Sequence, residues 1–197
     1  MAFYLERRYA EAKRILGDML NSSALDGHIL LGVVAVAEHD CDQARAHFEW
    51  AARTFPAPVT KFGLALAAAC SGERDRARQY LAQASEPSGT AFASPYQLAL
   101  GYAYLGDKDS AIAFLEKSAE AKEGQILYLR YDPLFDGIRS RPALHRVGEE
   151  GRAKSVTVHA SGARGQGTIA PTSLFPKAIP RDGHALGAIL SFEATHT

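Results

Sequence analysis

Cysteine is scarce. Cys41 and Cys70 are two in 197 residues, too few for the bridge framework that holds small secreted domains together. Alone, that count reads as a protein of a reducing cytoplasm. Net charge is missing as well. The 22 Lys and Arg offset 22 Asp and Glu, so no global field draws the chain to nucleic acid or a membrane surface. No apolar run approaches the roughly 20 residues that span a bilayer. The opening MAFYLERRYAEAK has no apolar stretch ending in a small-residue cleavage site, so no signal peptide is expected. The sequence also lacks a Gly-rich phosphate loop, a kinase catalytic loop with DFG, and a strained elbow around Ser or Cys. Catalytic residues, cofactor-binding residues and metal ligands are therefore expected to be none, and an enzyme is not expected.

What is present is apolar mass, 47% of the residues, arranged in a repeat. A small residue followed four places later by a large one recurs at Ala12 and Leu16, Ala44 and Phe48, Ala77 and Leu81, and Ala111 and Leu115. The alanines are 32, 33 and 34 residues apart. The fullest copy, DGHILLGVVAVAEHDCDQARAHFEWAARTFP, carries Leu31-Gly32, Ala44, Phe48, Ala51 and Pro56. The next has Leu64-Ala65, Gly72, Ala77, Leu81, Ala84 and Pro87, and the third has Leu98-Ala99, Tyr102, Gly106, Ala111 and Leu115. Small residues let paired helices approach and large ones fill the space between pairs. Gly72 and Gly106 fall at turns, where a helix end often needs positive φ. Departures from the pattern are His28, Lys61 and Pro95 at the aromatic position and His39 in place of a turn glycine. The competing reading is a generic alanine-rich helical bundle.

With that period and pattern, the chain resembles tetratricopeptide repeat proteins, whose units run about 34 residues. The stretch from Tyr102 to Gly151 is similar to the C-terminal end of bacterial members, with Asp132-Pro133, Phe135, Ile138-Arg139-Ser140 and Pro142 in a D-P-x-F-x-x-L-R-S-x-P element. Proline favours the first turn of a helix and Asp132 suits its N-cap. The resemblance covers about residues 4–150. It implies an all-α fold: an α-solenoid of antiparallel helix pairs in a right-handed superhelix. Residues 1–24 would be a partial first repeat with its second helix only, 25–124 three repeats, and 125–150 a helical cap. Residues 151–197, rich in Gly, Ser and Thr, carry five basic and two acidic groups and read as a flexible tail. The stretch 169–180 within it is considered as a self-ligand.

The resemblance also implies function: a cytoplasmic scaffold binding a protein or peptide. Arrays of this kind also form the C-terminal part of winged-helix transcriptional regulators and serine/threonine kinases in signal transduction. The alternative is therefore a severed regulatory array. The inner face of such a stack is assigned by helical spacing to Ile29, Val33, Val36, Phe62, Leu66, Tyr96, Leu100 and Tyr104. This is a candidate groove for a partner helix or apolar peptide; internal packing of the same residues is the competing reading. The basic and amide residues that clamp a C-terminal carboxylate are absent. One helix is expected from about Phe3 to Leu20, its far side open, so that the chain is a fragment of a longer array or self-associates through that edge, near Leu5 and Tyr9.

Other clusters read as ordinary. His39-Asp40-Cys41-Asp42 lacks a second ligand pair, and Asp40 suits a helix N-cap. His28, His47 and His145 read as scattered surface or packing residues. Cys70 reads as a small core residue in an alanine-rich helix. Arg74, Arg76 and Arg78 read as a solvated helix face.

Overall fold

The protein is described by a computed structural model over residues 1–86 and 93–151. The chain divides into two units, Met1–Val156 and Thr157–Thr197. The described residues all lie in the first, so the expectations for the tail and the 169–180 stretch lie outside them.

Helix α1 is Ala2–Leu5, α2 Tyr9–Met19, α3 Ala24–Ala37, α4 Cys41–Thr54, α5 Pro58–Cys70, α6 Arg74–Ser85, α7 Pro95–Leu105 and α8 Lys108–Glu120. Two 3-10 helices, Gly124–Tyr128 and Pro133–Ile138, follow, and residues 142–151 are helical. Among the described residues there is no strand, and the fold is all-α. Local chemistry sets the starts. Asp40 accepts from the Gln43 amide, Asp107 from Ser110 and Ser94 from Gln97. Gln97 returns a side-chain oxygen to the Ser94 amide, closing a reciprocal cap. Proline stands at the first turn of α5 and α7.

The turns carry the repeat. Arg7, His39, Gly72 and Gly106 have φ of 60°, 61°, 78° and 83°. Each lies five residues before one of the four alanines, Ala12, Ala44, Ala77 and Ala111. Two of these four turn positions are not glycine, and their side chains carry the cost of the left-handed conformation. The expected single helix from Phe3 to Leu20 is corrected here. It breaks at Arg7 into α1, a single turn, and α2, on which α1 packs.

Contacting helices joined by short turns make hairpins of α3 with α4, α5 with α6 and α7 with α8. The first helices touch in succession, α3 on α5 and α5 on α7. Ala44, Ala77 and Ala111 are fully buried, as are Leu81 and Leu115, with Phe48 nearly so. Phe48 is wedged between two glycines. A Cβ on Gly32 would meet its ring at 2.7 Å, and one on Gly63 would overlap it further.

The cysteines correct the sequence reading. Cys41 and Cys70 form a disulfide, with Cα atoms 5.4 Å apart, inside the range the bond requires. Cys70 is partly exposed at the end of α5 rather than buried. The bridge follows from topology: α4 and α5 run antiparallel, so the start of one meets the end of the other. Arg45 on α4 crosses the same junction to Glu73 and Ser71. Among the described residues no helix is long and apolar enough to cross a membrane.

Candidate functional site

The eight residues assigned to an inner groove lie on α3, α5 and α7, but the structure does not leave them open. Val36, Phe62, Leu66, Tyr96 and Leu100 are buried, Val36 and Leu66 completely. Ile29, Val33 and Tyr104 are partly buried against the same core. Packing of the helices on one another covers those on α3 and α5, and the cap covers those on α7. The second 3-10 helix packs on α7, burying Leu134, Phe135 and Ile138. Phe135 meets the Tyr96 ring edge-on at 5.5 Å.

A polar clasp seals this closure. Asp132, only 5% exposed, accepts from the Tyr4 hydroxyl at 2.7 Å, the Tyr96 hydroxyl at 3.3 Å and the Leu134 amide at 3.1 Å. Tyr4 comes from α1, so the first turn of the chain is tied to its cap. Arg7 adds an exposed pair to Asp136 at 2.8 Å, and Arg139 binds both Asp136 and the Asp132 carbonyl. Burial raises the Asp132 pKa from its ordinary value, opposed by the hydroxyl and amide donors. Burial and then Asp132 push both phenols up. Desolvation pushes the Asp136 carboxyl up, but the Arg139 and Arg7 guanidiniums together outweigh it and hold the group below its usual value.

Beside the clasp lies a cleft of about 260 Å³. Ala37, Ala103, Pro133 and Leu134 give it an apolar lining, and Arg7, Asp136, His39 and Tyr104 supply polar groups. The Tyr104 hydroxyl lies 3.2 Å from the His39 Nδ1 and donates to the Val36 carbonyl. Burial raises the Tyr104 pKa. The cleft is large enough for one sizeable side chain, with charge of both signs close by. Of the eight groove residues only Tyr104 lines it. Among the described residues no three His, Cys, Asp or Glu side chains converge as metal ligands.

Sequence reasoning named Asp132 as a helix cap and found neither Tyr4 nor the Arg7–Asp136 pair. Their partners are 128 and 129 residues apart, beyond any local pattern. His39 was visible in the sequence as a departure at a turn position, and the structure places it at the cleft. No family model, no curated protein and no solved structure matches the chain.

Proposed function

We propose that the chain is a tetratricopeptide-like solenoid acting as a protein-interaction module, and that its contact point is the cleft at His39 and Tyr104. The repeat reading is supported by four left-handed turn residues in register with four buried alanines. A generic bundle has no reason to keep that register. The binding reading is carried by one observation: a cleft with an apolar lining and mixed charge remains where the cap and the first hairpin meet. The partner is a protein segment that inserts one large apolar side chain, with flanking charges that answer Arg7 and Asp136. Such anchors in desolvated pockets dominate peptide binding.

The test is selection of peptides from a random library on the full chain, repeated on Ala37→Leu. That variant fills the cleft without altering charge. Peptides sharing an apolar anchor that lose affinity on Ala37→Leu, with the helical circular dichroism unchanged, support the reading. Failure to enrich any such consensus, or equal binding to both proteins, sinks it.

A further inference from the structure

We propose that His28 and His47 form a two-imidazole site for a divalent late transition metal ion, Cu²⁺ or Ni²⁺, on the α3–α4 hairpin. This stands apart from the cleft and does not rest on the interaction reading. The two side chains come from different helices, and their Nδ1 atoms face one another at 2.9 Å. Two nitrogens bound to one ion at about 2.0–2.1 Å stand about 2.9 Å apart when they occupy neighbouring corners of a square or octahedron. A tetrahedral ion needs them nearer about 3.3 Å. The same 2.9 Å is the ordinary length of a hydrogen bond between two ring nitrogens, so the spacing is compatible with neighbouring positions on Cu²⁺ or Ni²⁺, and the proposal rests on two imidazole nitrogens from different helices converging at one place.

Two further features suit a ligand pair. Trp50 stacks on His28, with ring centroids 3.9 Å apart and planes inclined by 17°. The stacking restrains the orientation of the His28 imidazole. Burial lowers the pKa of both histidines, and His28 lowers that of His47 further. The shift favours the neutral imidazole, which is the form that binds a metal ion.

Without metal, one ring donates its Nδ1 proton to the Nδ1 lone pair of the other. On binding, the donor ring releases that proton to water and takes one at Nε2. Both Nδ1 lone pairs then go to the ion and water fills its other positions. There is no net proton release and no change in oxidation state.

Trp50 is the single tryptophan of the chain and lies against His28, so its fluorescence reads the site directly. The full chain is titrated separately with Cu²⁺, Ni²⁺ and Zn²⁺ near neutral pH, using a weak chelator to set the free metal. Saturable one-to-one quenching is expected, tighter for Cu²⁺ than for Ni²⁺. His28→Gln and His47→Gln should each weaken it at least tenfold while keeping the native circular dichroism. Electron paramagnetic resonance of the Cu²⁺ form should report two equatorial imidazole nitrogens. Quenching that never saturates, that survives in both variants, or that follows Zn²⁺ ahead of Cu²⁺ overturns the proposal. If both glutamine variants unfold, the resonance spectrum of the wild type decides: fewer than two imidazole nitrogens is a failure.

Discussion

At the scale of single residues, two positions hold more energy than their neighbours suggest. Asp132 is a carboxylate inside the core, and burial raises its pKa. The native state therefore binds its proton more tightly than the unfolded chain does. Its contribution to stability is most favourable below the usual carboxylate pKa, falls as pH rises through the raised value, and is constant above it. Asp132→Asn keeps an acceptor for the Tyr4 hydroxyl and the Leu134 amide but carries no charge. Its stability relative to wild type should therefore grow as pH rises through that window and then level off, which urea denaturation across the acid range would measure. Asp132→Ala strands the Tyr4 hydroxyl and the Leu134 amide and should cost on the order of 2–3 kcal/mol. Gly63 is the second position. A Cβ there strikes the Phe48 ring, so Gly63→Ala should cost about 1–3 kcal/mol by overpacking. Adding Phe48→Leu should return part of that, and a double-mutant cycle with no coupling would refute the contact.

At the scale of elements, the turns and the bridge matter most. The turn glycines were readable because a left-handed residue favours glycine. His39 was readable only from its place in the repeat and Arg7 was not, because neither residue type by itself signals positive φ. The bridge closes a separation of 29 residues between the start of α4 and the end of α5. By loop-closure entropy it should be worth about 3.5 kcal/mol. Reduction should lower the denaturation midpoint accordingly, and Cys41→Ser with Cys70→Ser should match the reduced protein and ignore reductant. A wild-type midpoint indifferent to reductant would show that the thiols do not pair in solution.

At the scale of the whole described unit, the clasp joins the first turn of the chain to its cap. Tyr4→Phe removes a buried bond to a carboxylate and should cost about 1.5–3 kcal/mol. Arg7→Ala removes a half-exposed ion pair and should cost less than about 1 kcal/mol. Equal losses would mean that the two ties are not distinguished by burial. The apolar edge expected near Leu5 and Tyr9 is reduced. Both are partly covered against Tyr4, Leu16 and their neighbours, while Ile15 and Met1 remain exposed. Self-association through this edge remains a proposal: sedimentation should show a dimer that Ile15→Glu dissolves, and a monomer at all concentrations rejects it.

The sequence by itself determined the helical class, the period and some of the helix starts, though not the break at Arg7. These follow from residue type and spacing: capping aspartates, prolines in first turns, and alanines that recur every 32 to 34 residues. Tertiary structure alone decided that Cys41 reaches Cys70, that Tyr4 reaches Asp132 and that His28 faces His47. It also decided that the residues expected to line a groove are buried or partly buried, and that a cleft lies at His39 and Tyr104. Each of these depends on where antiparallel helices bring distant residues together, and a one-dimensional pattern carries no information about contacts across such distances.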